Sequence, residues 1–119
     1  MEETLLKLEV YQIALKISDL SYGISELIPK RHLATSGQFL RAADSIGANI
    51  AEGYGRGTFR DRQKFMVIAR DSLYETNFWL SRIETRGLAE QELIEAMKML
   101  CASEARLIYG YIKYLKTKI

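Results

Sequence analysis

Between residues 38 and 53 the sequence carries two interleaved sets of residues at helical spacing, a polar stripe and an apolar stripe. This pattern strongly constrains the fold. The polar stripe advances in steps of three and four: Gln38, Arg41, Ser45, Asn49 and Glu52. The apolar stripe beside it consists of Phe39, Ala42, Ile46, Ile50 and Gly53. Such spacings place each set along one side of an α-helix. We expect this helix to be packed on both sides, against its own domain and against a subunit or a ligand.

The rest of the chain also has a helical pattern. Helix interiors tolerate almost no proline, and Pro29 is the single proline among 119 residues. Four helical segments are predicted, at about residues 4–28, 33–54, 59–86 and 89–118, with Thr58 as the N-cap of the third. Pro29, the glycines at 53, 55 and 57, and Gly87 separate them. Their similar lengths and short connections predict an all-α fold, an antiparallel up-down-up-down four-helix bundle that forms one domain over residues 1–119.

The predicted helices carry more apolar surface than one core seam requires. On the first segment one stripe contains Leu8, Tyr11, Leu15 and Tyr22, and another contains Val10, Ala14, Ile17, Leu20, Ile24 and Leu27. The inward residues predicted for the third are Phe65, Ile68, Ser72, Trp79, Leu80 and Ile83. Those of the fourth are Leu93, Met97, Leu100, Leu107, Tyr111 and Leu115, beside a second stripe of Ile94, Cys101, Ile108, Ile112 and Ile119. The excess predicts homo-oligomerisation, although a thick core would also account for it.

The net charge of the chain is small but unevenly distributed. It is only +2, too small to establish a nucleic-acid partner, but acids dominate residues 1–28 and bases dominate residues 105–119.

The cysteine content favours a cytoplasmic protein. Cys101 has no second cysteine to pair with, so a buried, reduced thiol is expected. The sequence has neither a secretory signal pattern nor an apolar run long enough for a membrane span, so we expect no membrane association.

Two basic clusters are candidate RNA-binding sites. The first, around the end of the second segment, contains Arg56, Arg60, Arg62 and Lys64. The second contains Lys113, Lys116 and Lys118 interleaved with Tyr109, Tyr111 and Tyr114. Cations bind phosphates without regard to sequence, and aromatic rings stack on bases. The alternatives are a solvated helix start for the first cluster and core packing of the tyrosines for the second.

The polar stripe has two interpretations. Arg41, Ser45, Asn49 and Glu52 could form a binding surface or line a pore. The interpretation we favour is an interhelical hydrogen-bond network that fixes register, with Arg41 and Glu52 paired to groups on the third segment such as Glu75 and Arg70. The glycines at 53, 55 and 57 could suggest a phosphate-binding loop. They close a helix rather than follow a strand, so a helix stop with a tight turn is favoured, with the amides that open the next helix still free to receive a phosphate.

No catalytic, metal or cofactor site is predicted. Ser45 has no histidine nearby in sequence to act as a base, and His32, the only histidine, stands beside Lys30 and Arg31 in a predicted turn. Glu-x-x-His pairs, which mark di-metal bundles, are absent from the sequence. We expect a protein that is not an enzyme, needs no cofactor and has no small-molecule substrate.

Three segments carry a family resemblance: RAADSIGANIAEGYGRG at residues 41–57, LEVYQIALKISDLSY at residues 8–22 and FMVIARDSLYETNFWL at residues 65–80. With them the chain resembles the bacterial four-helix-bundle family whose founding members are encoded by intervening sequences in 23S ribosomal RNA genes. The resemblance covers nearly the whole chain. It implies a left-handed bundle, commonly a homopentamer with a central pore. It also implies a distant relation to the accessory proteins of diversity-generating retroelements, which bind a reverse transcriptase and its template RNA.

The function predicted from the sequence is a non-enzymatic, homopentameric interaction module. It would bind RNA or a nucleic-acid-processing protein through Arg56, Arg60, Arg62, Lys64, Lys113, Lys116 and Lys118, while Arg41, Ser45, Asn49, Glu52, Gly53 and Glu75 form a structural motif. One alternative is an accessory subunit of a retroelement reverse transcriptase. Another is a purely structural protein-protein adaptor without nucleic-acid binding.

Overall fold

A computed structural model describes residues 3–119, and all of its regular secondary structure in that range is helical. The helices are α1 (Glu3–Leu6), α2 (Glu9–Leu27), α3 (Leu33–Arg56), α4 (Phe59–Thr85) and α5 (Gln91–Lys116), with a 3₁₀ turn at Lys30–His32. The all-α prediction is confirmed. None of the helices in the described range is long and apolar enough to span a bilayer.

The first predicted helix is interrupted, which corrects the prediction of one helix over residues 4–28. Leu8 is extended, with φ −72° and ψ 123°, and separates α1 from α2. The Gln12 side chain donates a hydrogen bond of 2.9 Å to the Leu6 carbonyl and so satisfies an acceptor at the end of α1. The break allows Leu5 to enter the core. Pro29 then separates α2 from α3, as predicted.

Contacts along α3 and α4 run in opposite sequence order. The Arg86 guanidinium donates to the Thr35 hydroxyl at 3.0 Å, near the start of α3. Midway along both helices the Ser45 and Ser72 hydroxyls are 2.9 Å apart. Helix α2 packs against α3 and α5, and α4 packs against α5, so the four long helices surround a single core.

The buried faces of α5 and α4 differ in part from the predicted ones. On α5 the buried residues are Ile94, Met97, Cys101, Glu104, Ile108, Ile112 and Leu115. Met97 and Leu115 of the predicted inward stripe are therefore buried together with Ile94, Cys101, Ile108 and Ile112 of the second stripe, whereas Ile119 is exposed. Partly buried Leu93, Leu100, Leu107 and Tyr111 pack against this core. On α4 the buried residues are Met66, Ala69, Leu73, Thr76, Leu80 and Ile83. Leu80 and Ile83 are buried as predicted. Ile68, predicted to face inward, is exposed, because Met66, Ala69 and Leu73 form the inner face in the first half of α4.

Gly53 marks a very close approach of α3 and α4. A Cβ atom added there would lie 2.7 Å from the Phe65 Cβ and 3.3 Å from the Arg62 Cα. These obstacles are backbone and the first side-chain atom, which cannot rotate away. The two helices would have to separate to accept any side chain at this position.

We predict that Gly53→Ala lowers the free energy of unfolding by about 1–3 kcal/mol, the usual cost of overpacking. Gly55→Ala is the matched control, because Gly55 lies on the same helix with nothing within 4 Å of an added Cβ. Gly55→Ala should raise the free energy of unfolding slightly, because alanine has a higher helix propensity than glycine. Urea unfolding of both variants measures the difference, and equal stabilities would contradict the close approach.

Glu104 places a carboxyl group in the middle of the apolar core. It is fully buried, and neither carboxylate oxygen has a hydrogen-bond partner among the described residues. Burial raises the pKa of Glu104 from 4.5 to about 8. Burial, with a contribution from the Glu104 charge, raises the pKa of the nearby Cys101 thiol to about 12, and Cys101 is free and buried, as expected. The folded protein therefore holds Glu104 protonated at neutral pH.

This buried acid predicts a pH-dependent stability. In the unfolded chain Glu104 ionises near pH 4.5, whereas in the folded chain it keeps its proton up to about pH 8. The contribution of protonated Glu104 to the free energy of unfolding is therefore fully present below pH 4.5 and is lost as the pH rises toward 8. Between pH 5 and pH 8 the loss is on the order of 4 kcal/mol, at about 1.4 kcal/mol per unit.

Glu104→Gln should remove this dependence, because the amide does not ionise. The measurement is the free energy of unfolding of wild type minus that of the variant at several pH values, which cancels the other titrating groups. The control is Glu92→Gln, an exposed glutamate on the same helix. A wild-type minus Glu104→Gln difference that stays constant from pH 5 to pH 8 would contradict the burial of an unpaired carboxyl.

Candidate nucleic-acid interface

The turn between α3 and α4 positions the first basic cluster. Gly57 adopts a left-handed conformation with φ 81°, which ends α3 immediately after Arg56. The Thr58 hydroxyl then accepts a hydrogen bond of 3.1 Å from the Asp61 amide and caps α4, as predicted. Of the three glycines in the run, only Gly57 has the positive φ that a glycine accommodates most easily.

Arg62 is part of the fold rather than a free cation. Its guanidinium lies 4.2 Å from the ring centroid of Tyr54 and 5.6 Å from that of Phe59. Burial raises the pKa of Tyr111 on α5, and the nearby charge of Arg62 opposes that rise. Arg62 therefore lies among aromatic residues of α3, α4 and α5, and its cation–π attraction to Tyr54 joins α4 to α3.

The other members of the first cluster are more accessible. Arg56 lies 3.8 Å from the Glu52 carboxylate and 5.1 Å from the Phe65 ring centroid, on an exposed part of the surface. Lys64 is exposed, with its ammonium 5.9 Å from the same ring. Arg60 is exposed, and within residues 3–119 its side chain makes no hydrogen bond or ion pair. These three side chains can contact a ligand without any change in the packing of the core.

The second basic cluster lies on the last turns of α5 and in the two residues that follow it. Tyr111 and Tyr114 stack at 6.1 Å with an interplanar angle of 14°, and the Lys118 ammonium lies 5.4 Å from the Tyr114 ring. Lys113 and Lys116 line a groove between α4 and α5. Helix α4 packs against both α3 and α5, and the charge of Arg62 acts on Tyr111, so the two clusters predicted from separate parts of the sequence share one end of the molecule.

The α4–α5 groove contains residues that the sequence analysis did not place in a site. Arg70 and Tyr74 contribute to it from α4, opposite Tyr109 and the two lysines of α5. Arg70 and Tyr74 are four residues apart and so share one face of α4. That spacing was a usable signal, but α5 supplies the other side of the groove, and only packing brings the two sides together.

The polar stripe divides into an interhelical centre and exposed ends. The Asn49 amide donates to the Ser45 hydroxyl at 2.9 Å and to the Ser45 carbonyl at 2.8 Å, and Ser45 is bonded to Ser72 of α4. The stripe therefore has one interhelical hydrogen bond, Ser45–Ser72, and Asn49 bonds within α3.

The predicted ion pairs of Arg41 and Glu52 with α4 are wrong. Arg41 donates to Gln38 one turn earlier on its own helix, and Glu52 pairs with Arg56 one turn later. Glu75 accepts a hydrogen bond of 3.4 Å from the Trp79 indole. Arg41, Glu52 and Glu75 are all exposed, and neighbours at helical spacing satisfy them more easily than residues on another helix.

Among residues 3–119, no three His, Cys, Asp or Glu side chains lie close enough together to hold a metal ion. His32 lies in the 3₁₀ turn before α3, as its sequence neighbourhood predicted. The concentrated functional groups are cations and aromatic rings, which suit an anionic, base-bearing ligand.

Comparison with known proteins places these observations in a family. None of the curated proteins matches the sequence. Among solved structures, the chain is similar to a protein of unknown function from the S23 ribosomal protein family of Bacteroides thetaiotaomicron, with a TM-score of 0.82 and 24% sequence identity over 87% of this chain and 98% of that one. This likeness shows a shared fold. The sequence model of the 23S rRNA-intervening sequence protein family matches residues 6–110. The chain therefore belongs to the 23S rRNA-intervening sequence protein family.

Proposed function

We propose that the protein is a non-enzymatic RNA-binding module of the cytoplasm, an antiparallel four-helix bundle that assembles into a homopentamer. The observation that carries the RNA proposal is the convergence of two basic clusters at one end of the molecule. Arg56, Arg60 and Lys64 come from the α3–α4 turn, and Lys113, Lys116 and Lys118 come from the end of α5. The opposite order of contacts along α3 and α4 supports the antiparallel topology.

Assembly would raise the affinity for RNA that a small net charge per chain can provide. One chain has a net charge of only +2, so its affinity for phosphates is limited. Repetition around a ring presents the same cluster several times to one polyanion, and each further contact is then intramolecular. Family membership is consistent with an RNA-related role.

Exposed apolar side chains support self-association. Large examples lie on each long helix, and several outside the α4–α5 groove are more than half exposed: Leu27 on α2, Leu33 on α3, Phe78 on α4 and Met99 on α5. A subunit contact would remove this surface from water. The same residues favour the second candidate function, a protein-protein adaptor that does not bind RNA.

The assembly proposal predicts a molar mass of about 68 kDa in solution, five copies of the 13.6 kDa chain. Multi-angle light scattering coupled to size-exclusion chromatography at micromolar concentration measures it. A species of 13.6 kDa would contradict self-association, and a different multiple would correct the subunit number.

Removing two exposed cations of the first cluster should weaken RNA binding. We expect Arg60→Gln/Lys64→Gln to reduce the affinity for a labelled RNA stem-loop about tenfold or more. It should also lower the slope of log affinity against log salt concentration by roughly 1.5–2, because two phosphate contacts are lost. Fluorescence anisotropy over a salt series measures both quantities.

The matched control is Lys30→Gln/Arg31→Gln, which removes the same charge from the exposed turn before α3. Helix α3 has 24 residues and so separates this turn from the basic end by about 36 Å. Equal losses in the two double variants would show that net charge alone governs binding. Absence of salt-sensitive binding by the wild type, with a protein recovered from the native host instead, would favour the adaptor.

A further inference from the structure

The groove between α4 and α5 combines features that the rest of the described surface does not bring together. It has a volume of about 400 Å³, within the range of small-ligand sites. Arg70, Lys113 and Lys116 line it, and no acidic side chain does. Tyr74 and Tyr109 also line it, and both are more than half exposed, so their ring faces are available.

Arg70 has a buried donor without a hydrogen bond. Its Nε atom is buried, with no hydrogen-bond partner among the described residues. The carboxylate of neighbouring Asp71 forms a long ion pair with it at 3.9 Å, beyond hydrogen-bond distance. An unsatisfied donor on a partly desolvated guanidinium is costly, and an oxygen-rich anion in the groove would satisfy it.

The remaining lining favours a ligand with a flat, apolar part as well as an anion. Leu73 and Ile112 are buried residues that form an apolar floor. Tyrosine rings above such a floor can stack on a base, whereas a fully paired duplex keeps its bases inside. Phosphate alone would use the cations and leave the rings without a role.

We propose that this groove holds one unpaired nucleotide of a bound RNA, with its base stacked on Tyr109 or Tyr74 and its phosphate held by Arg70, Lys113 and Lys116. The inference rests on the proposed RNA-binding function and adds the kind of RNA, a single-stranded segment, that the module recognises. The basic α3–α4 turn supplies affinity for the backbone, and the groove discriminates unpaired from paired nucleotides.

The test compares two labelled probes, a single-stranded oligoadenylate and a blunt RNA duplex of the same length. We expect Tyr109→Ala/Tyr74→Ala to weaken binding of the single strand by about fivefold to 100-fold, the usual effect of losing stacking on one base. Duplex binding should change less than about twofold. Tyr109→Phe/Tyr74→Phe should bind as the wild type does, because stacking does not require the hydroxyl.

Two further variants separate stacking from charge. Arg70→Gln should lower the salt slope for the single strand by about 0.7, the loss of one phosphate contact. Tyr22→Ala is the matched control for the tyrosines, since Tyr22 is similarly exposed but lies on α2, outside the groove. Circular dichroism and light scattering on each variant verify that the fold and subunit number are unchanged.

The outcomes distinguish the groove from the broader RNA proposal. If the wild type binds neither probe, both proposals are wrong. If it binds the single strand and the tyrosine-to-alanine variant binds equally well, or loses both probes equally, the groove proposal is wrong and RNA binding stands. A changed subunit number in that variant would identify the groove as a contact between copies and overturn the proposal. Equal binding of poly-glutamate and oligoadenylate by the wild type would also overturn it, because only charge would then be recognised.

Discussion

The close packing of α3 against α4 is the contact on which the rest of the structure depends. Gly53 lets the two backbones approach so closely that no side chain fits between them, and the Ser45–Ser72 hydrogen bond joins the two helices midway along their length. Because the helices are held this closely, the turn at Gly57 must be tight. It therefore projects Arg56 and Arg60 from one small region.

At the basic end, two neighbouring arginines of α4 have different surroundings. Arg62 is held near aromatic rings of α3 and α4 and interacts with Tyr111 of α5. Arg60 is exposed to solvent. The sequence presents Arg60 and Arg62 as equivalent, but their surroundings give them different roles.

Glu104 works against the stability of the core that contains it. An apolar residue of similar volume would avoid the cost of holding an unpaired carboxyl away from water. The group remains in the core because burial keeps it protonated near neutral pH. Its ionisation makes the fold less stable as the pH rises from 4.5 to about 8. The helical spacing of the apolar residues of α5 does not reveal it, because a glutamate is not part of an apolar stripe.

The sequence by itself determined the all-α class, most helix limits, the Thr58 cap and the presence of two basic clusters. These depend on local chemistry: proline and glycine restrict or free the backbone, and helical spacing is fixed by the geometry of the chain. Only the tertiary structure decided which residues of the two α5 stripes are buried, that the first helix breaks at Leu8, that Arg62 lies among aromatic rings, and that Arg70 and Tyr109 line one groove. Those outcomes depend on side chains that come from distant parts of the sequence, and local periodicity carries no information about which neighbours a helix face will meet.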